Sequence, residues 1–318
     1  GGPGGSDQPE RPAALRNPMI SVVTGGAGFI GSHLVEALLQ GGRRVRIVDN
    51  LSTGRRALLP AGVEFLEGDV NDVASEAVRG ADVVYHLAAL PSVPRSVERP
   101  LESHRATAEG TLAILRAAER SGVRRVVYAS SSSVYGDTPT LPKREDMPPR
   151  PLSPYAAAKL SGEFYAGWWG ARTRLETVSL RFFNVYGPRQ DPDSPYAAVI
   201  PIFCGRLRAG QTLPINGDGG QTRDFTYVGD VVRGIQAAAE APGVSGRVYN
   251  VAGGHPVSVK EMGERLAGIL GIPARMEFRA PRAGDIRDSF ADVSAARREL
   301  GFEARISLDE GLRATVGP

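Results

Sequence analysis

The chain has 318 residues, 42% of them apolar, enough for a large core in one domain or two closely joined ones. Thirty-eight basic against 35 acidic side chains give a formal charge of +3 with no basic run, so no nucleic-acid surface is expected. The single cysteine, Cys204, rules out an internal disulfide, and no zinc or iron–sulfur spacing is present, so no metal is expected. No apolar run approaches the roughly 20 residues that span a bilayer, and no signal-peptide core is present, so a soluble cytoplasmic protein that avoids the membrane is expected.

Residues 1–18 are rich in Gly, Pro and charge without apolar periodicity and read as a disordered tail, the first five having the composition of an expression remnant. Strands are predicted at 19–24, 44–49, 63–68, 81–87, 124–130 and 175–182. Helices are predicted at 30–39, stopped by Gly41 and Gly42, and at 71–79, 107–120 and 155–171. This alternation implies an α/β fold, a Rossmann-type doubly wound parallel sheet with helices on both faces. Beyond Asn184 the pattern loosens into Pro- and Gly-rich segments, read as a smaller, discontinuous α/β substrate domain. The predicted division is 19–183 plus about 224–250 for the nucleotide domain, and about 184–223 plus 251–318 for the substrate domain.

The first strand runs into Thr24-Gly25-Gly26-Ala27-Gly28-Phe29-Ile30-Gly31, where glycines let backbone approach a pyrophosphate at a helix N-terminus. Asp49 ends the second strand, where a carboxylate accepts adenosine ribose hydroxyls and repels a 2′-phosphate, favouring NAD over NADP. Asp69, at the end of the third strand, is placed to meet the adenine edge or to cap the following loop. Ser131 ends the fifth strand, at the edge where open α/β sheets bind ligands. Tyr155 and Lys159 stand one helical turn apart, which puts an ammonium beneath a phenol. A phenol of pKa about 10 needs roughly three units of depression to serve as a base near neutrality. A lysine and a positively charged nicotinamide are the natural sources.

On these motifs the sequence resembles the extended short-chain dehydrogenase/reductase family, specifically its nucleotide-sugar 4-epimerases. The resemblance runs from residue 19 to the end, through TGGAGFIG (24–31), VDNLSTG (48–54), HLAA (86–89), SSSSVYG (130–136), SPYAAAK (153–159), LRFFNVYGPRQDP (180–192), GDGGQTRDFTYVGD (217–230) and RAGDIRDSFAD (282–292). It implies Ser131, Tyr155 and Lys159 as catalytic residues. It implies NAD held by Gly25, Gly28, Phe29, Ile30, Asp49, Asn50, Thr53, Gly54, Asp69, Val70, Leu87, Ala88 and Ala89, with Tyr155 and Lys159 also at the cofactor. For a UDP-sugar it implies Asn184, Arg223, Arg282 and Asp285 at the UDP group, with Ser132, Ser133, Gln190, Ala198, Val199 and Ser289 around the sugar. Two arginines suit a diphosphate and Asp285 suits ribose hydroxyls.

Neighbouring branches are separated by the residues after Ser131. The resembling 4,6-dehydratases carry Asp-Glu there, and UDP-glucuronate decarboxylases a glutamate at the third position. Ser132 and Ser133 are poor acids and bases, which demotes elimination and decarboxylation. The implied reaction is C4 epimerisation, with the proton passing to Tyr155 directly or through Ser131. Small Ser289, with Gln190, Ala198 and Ser132, resembles the pocket for N-acetylated sugars (UDP-GlcNAc and UDP-GalNAc), ranked first, with UDP-glucose and UDP-galactose second. Pro91 is similar to the UDP-glucuronate 4-epimerases, but a carboxylate at Asp191 repels a uronate, which is ranked third. Thr107 replaces the family's usual asparagine. The alternatives are another nucleotide-sugar oxidoreductase or a non-catalytic NAD-binding protein. A homodimer through the helices at 107–120 and 155–171 is the family expectation.

Overall fold

The computed structural model describes residues 20–191, 198–281 and 286–317. The predicted tail, Met19, Arg282 and Asp285 lie outside the described residues. In chain order the first half runs β1 (Ile20–Thr24), α1 (Phe29–Gln40), β2 (Arg44–Asp49), β3 (Glu64–Glu67), α2 (Val70–Ala77), β4 (Ala81–His86), α3 (Val93–Glu98), α4 (Pro100–His104), α5 (Gly110–Arg120), β5 (Arg125–Ser131), α6 (Pro154–Arg172) and β6 (Glu176–Phe182). The predicted helix at 107–120 begins later as an α-helix. Arg105–Glu109 form a π-turn between α4 and α5, and the Thr111 hydroxyl donates to the Thr107 carbonyl inside it at 2.6 Å. Ser132–Tyr135 form a short 3₁₀ turn after β5.

The second half runs β7 (Val185–Tyr186), α7 (Val199–Arg208), β8 (Leu213–Asn216), β9 (Thr222–Asp224), β10 (Thr226–Tyr227), α8 (Val228–Glu240), β11 (Arg247–Val251), β12 (Pro256–Ser258), α9 (Val259–Leu270), β13 (Met276–Arg279), β14 (Asp288–Ser289), α10 (Ser294–Leu300) and α11 (Leu308–Val316). One parallel sheet of order β3-β2-β1-β4-β5-β6-β11 joins both halves. Its order reverses between β1 and β4, which opens a crevice at the carboxyl ends of those strands.

The strands are apolar on both faces, as a sheet covered on both sides requires. Consecutive residues point opposite ways: Val23 and Val127 face α1 and α8, while Val22 and Val126 face α2, α5 and α6. Each such side chain, removed from water, contributes about 1.5–3 kcal/mol. A third cluster, with Ile200, Phe203, Leu213, Met262, Leu266 and Leu312, joins α7, α9 and α11 and buries Cys204. One expectation is corrected here: 251–318 does not pack wholly with that cluster. Ala296, Leu300 and Phe302 enter the sheet's own core, because α10 turns its apolar side to α8 and β11.

Val93, Val97 and Leu101 on α3 and α4, and Phe164 and Trp168 on α6, are exposed, Leu101 by 85%. Among the described residues no helix is long and apolar enough to cross a membrane.

Candidate active site

The turn after β1 is held by backbone contacts. Gly25 has φ +70°, and a Cβ there would lie 2.9 Å from the Ala88 nitrogen. A Cβ on Gly31 would lie 2.1 Å from the Gly25 carbonyl oxygen. Helix α1 starts at Gly28 with no side-chain cap and no acid in its first turn, so its first N–H groups face outward as an anion-binding end. Asp49 is buried; its carboxylate accepts the N–H of Ala27 at 3.0 Å and of Leu51 at 2.8 Å, and burial raises its pKa. Gly54 packs against it, since a Cβ there would come within 2.7 Å of Oδ1.

Asn50 and Thr53 are exposed on the same loop, and Asn50 reaches Asp69 at 3.3 Å. Asp69 caps α2, accepting the Asn71 N–H at its start. The Val70 side chain is in the core, so it offers only backbone to a ligand. Leu87, Ala88 and Ala89 follow β4 beside the glycine turn, the Ala88 N–H donating to Thr24 Oγ1 at 3.2 Å. The uncapped helix end, the close-approach glycines and the strand-end carboxylate lie on one sheet edge and fit a dinucleotide.

The catalytic candidates sit two strands away. Ser131 ends β5, opposite Phe182 of β6. Burial pushes the Tyr155 phenol up to about 12, and the hydrogen bond from Ser131 pulls the other way. Lys159 reaches over the Tyr155 ring, as its spacing suggested, but stands nearer the ring of Tyr128. Its Nζ donates to the Ala129 carbonyl at 2.6 Å and stands 5.1 Å from the Tyr128 ring centroid but 6.0 Å from that of Tyr155. The β5 carbonyl captures the ammonium, because it is the acceptor the buried side chain reaches. Burial pushes Lys159 down to about 7, opposed by the charge of Glu163 one turn further on.

Two polar assemblies that the sequence reading missed hold this centre. Glu163 takes both prongs of the Arg181 guanidinium, Nε at 2.9 Å and Nη2 at 2.7 Å, and also accepts the Ser130 hydroxyl. Both members of the pair are buried, and Arg181 lies over the Tyr135 ring at 4.6 Å. The signal was present, since YAAAKLSGE places tyrosine, lysine and glutamate at successive helical turns.

The second assembly centres on His86. Thr111 donates to a carbonyl, so it must accept from His86 Nε2 at 3.1 Å; Nδ1 then accepts from Thr24 Oγ1 at 2.7 Å. The imidazole is thereby fixed as the Nε2–H tautomer, and burial followed by Lys159 pushes its pKa down to about 3. It ties the glycine turn to α5.

On the other side of the crevice, Asn184 has φ +28° and donates to the Asp224 carbonyl at 3.0 Å. Gln190 Nε2 donates to the Val185 carbonyl at 3.0 Å, while its Oε1 is buried with no hydrogen-bond partner among the described residues. Ala198 caps α7 and Val199 opens it. Arg223 in β9 pairs in register with Ser289 of β14, and its Nη1 donates to the Thr222 carbonyl at 2.8 Å. The Asp224 carboxylate accepts the N–H groups of Gly254 and Ala291, and burial pushes it up to about 7. A cavity of about 780 Å³, lined by Asn216, Gln221, Phe278 and Arg279, borders Pro281 and Ile286, the residues flanking 282–285.

Residues 21–252 match the NAD dependent epimerase/dehydratase family, and the chain belongs to that family. It is 41% identical over 307 residues to the UDP-glucose 4-epimerase of Mycolicibacterium smegmatis, covering 94% of this chain and 97% of the relative. It is 35% identical over 314 residues to a dTDP-glucose 4,6-dehydratase of Streptomyces niveus, covering 94% and 92%. Among solved structures, the UDP-N-acetylglucosamine 4-epimerase from Methanobrevibacter ruminantium M1, in complex with UDP-N-acetylmuramic acid, superposes with a TM-score of 0.90 at 37% identity, covering 95% and 98%.

Proposed function

We propose that the protein is an NAD-dependent UDP-sugar 4-epimerase that inverts C4 through a transient 4-keto sugar. The observation that carries this reading is the meeting of Ser131, Tyr155 and Lys159 on the sheet edge that also bears the dinucleotide turn, with Ser132 and Ser133 following in place of an acid pair. NAD, held along Gly25–Gly31, Asp49 and Leu87–Ala89, supplies a hydride acceptor and donor and, when oxidised, a positive charge near the phenol. Tyr155 takes the proton of the 4-hydroxyl and returns it. Lys159, anchored to Ala129, keeps an amine close to the phenol that carries its charge below about pH 7, and the Glu163–Arg181 pair fixes the strand and helix that present it. No net redox occurs, so NAD stays with the protein.

Arg223 with Arg282 would neutralise the diphosphate, and Asn184 and Asp285 would complete the UDP site, with the cavity beside Pro281 as the space for the base. N-acetylhexosamine is the favoured sugar. Ser289 is small and adjoins Arg223 in register, and the unpartnered Gln190 Oε1 suits an acetamido N–H. UDP-glucose is the second reading, favoured by the name of the Mycolicibacterium smegmatis relative. The nucleotide unit is assigned to 19–183 with about 224–250. The exposed apolar residues of α3, α4 and α6 support a homodimer, α6 being one of the two helices expected to form it.

The test is proton NMR of the anomeric region after incubating purified protein, without added cofactor, with UDP-GlcNAc, UDP-glucose and UDP-glucuronate. A galacto-configured product is expected, fastest from UDP-GlcNAc, and Tyr155→Phe should abolish it while retaining UDP-sugar binding. Ser289→Tyr should selectively remove turnover of N-acetylated sugars. No conversion even with added NAD⁺ would sink the reading.

A further inference from the structure

We propose that Arg189 is a positioning residue that clamps the two walls of the cofactor crevice together, and so sets how long NAD stays bound, without itself touching the cofactor. The inference deepens the epimerase reading, in which NAD must keep its place through every cycle, and rests on it.

The clamp consists of bonds that leave one residue in two directions. The guanidinium reaches α1, where Nη2 donates to Glu36 Oε1 at 2.6 Å and Nη1 to Ser32 Oγ at 3.3 Å. Ser32 is buried and gives its own proton to the Phe29 carbonyl at 3.0 Å, in the first turn of α1, so its oxygen is left to accept. The main-chain carbonyl of Arg189 reaches the other wall, accepting from Arg55 Nη2 at 3.0 Å. Arg55 stands at the end of the loop that follows Asp49, and its N–H donates to the Ala27 carbonyl, inside the glycine turn, at 2.9 Å. Beside this residue the Pro188 carbonyl takes a bond from His33 Nε2 at 3.0 Å, which puts the imidazole proton on that nitrogen. On the far side Gln190 donates back to the Val185 carbonyl, so the segment is tied at both ends.

This path is held against local preference. Arg189 has φ +72° and Asn184 φ +28°, the left-handed region that residues with a Cβ avoid. Backbone of this kind persists only where its surroundings over-determine it, and it gathers at functional sites. The Arg189–Glu36 pair is partly exposed on both sides, and a pair so placed adds little to the stability of a fold. What the bonds do fix is the spacing between α1 and the loop after β2. A dinucleotide with its pyrophosphate at the start of α1 and its adenosine ribose at Asp49 lies along both walls. Release requires the walls to part, and Arg189 is bonded to each of them. Walls already held at that spacing also lower the ordering cost of binding.

The experiment measures cofactor release with no sugar present. Protein loaded with NADH and freed of excess is mixed with a large excess of NAD⁺, and the loss of bound-NADH fluorescence gives the dissociation rate. Arg189→Gln should speed release about 10-fold and Glu36→Gln about 5-fold, with the double variant no faster than Arg189→Gln alone, because both changes open the same link. Arg189→Glu combined with Glu36→Arg restores an ion pair of opposite polarity and should recover most of the wild-type rate. Arg55→Ala breaks the clamp on the loop side, at an exposed residue, and should speed release about 5-fold. Urea midpoints of the cofactor-free proteins should stay near that of wild type.

Release from Arg189→Gln at the wild-type rate would overturn the inference. So would fast release from Arg189→Gln that Glu36→Gln and Arg55→Ala do not share and the exchanged pair does not recover, which would make Arg189 a direct contact of the cofactor. Lowered urea midpoints with unchanged release would reduce the segment to a brace of the fold and overturn it as well. Should Arg189→Gln fail to fold, Arg55→Ala decides, and unchanged release there sinks the claim. A wild type that holds NADH yet converts no UDP-sugar would fell the epimerase reading, while the release rates would still decide the role of Arg189.

Discussion

The two ends of the crevice are held by different means. Beside β1 and β2 the cofactor turn rests on backbone: Gly25 against Ala88, Gly31 against the Gly25 carbonyl, and Asp49 accepting two main-chain N–H groups. Beside β5 and β6 the proposed catalytic centre rests on side chains, with Glu163, Arg181, Ser130 and Lys159 locked into buried charge and hydrogen bonds. A backbone cradle has almost no tolerance for an added atom, and its buried carboxylate, Asp49, is met by main-chain N–H groups. A side-chain lock tolerates shape changes better and depends on every partner for its charge balance.

That contrast makes opposite failures testable. The largest effect is expected for Gly31→Ala, whose Cβ overlaps the Gly25 oxygen. The purified variant should carry almost no NAD, measured as cofactor released on denaturation, and full retention would break the backbone account. Glu163→Gln should do the reverse, keeping its NAD while losing about 3–5 kcal/mol of stability in urea, since Arg181 is left buried without its counter-charge. An unchanged urea midpoint would mean that the pair does not hold this end.

The smallest effect concerns pH. Folding lowers Lys159 from its ordinary value of 10.5 to about 7, so between those values the unfolded chain binds the proton and the native chain does not. Stability from this group therefore rises with pH across that window, by about 2 kcal/mol from pH 7 to pH 9. Lys159→Met should remove that rise in urea unfolding at the two pH values. A rise that survives the substitution would show that another group supplies it.

Legibility followed the same division. The glycine turn was readable because a strand, close-spaced glycines and a helix must lie consecutively to form it, and Asp49 is simply the last residue of the next strand. Ser131, Tyr155 and Lys159 were readable as a set for the same reason, being local to one strand end and one helical turn. Where the Lys159 ammonium points was not, since the Ala129 carbonyl that takes it lies 30 residues away in sequence. Nor was the pairing of Glu163 with Arg181 or the Thr24–His86–Thr111 bridge, each of which joins separate elements.

By itself, then, the sequence determined the βα alternation, the nucleotide turn and the candidates proposed as reacting groups, because periodicity, glycine conformation and helical spacing are properties of neighbouring residues. Tertiary structure alone decided where Lys159 directs its charge, which tautomer His86 holds, and the entry of Ala296, Leu300 and Phe302 into the sheet core. Those depend on burial and on partners that distant segments bring together, and burial sets both the cost of a charge and the direction in which a proton is held.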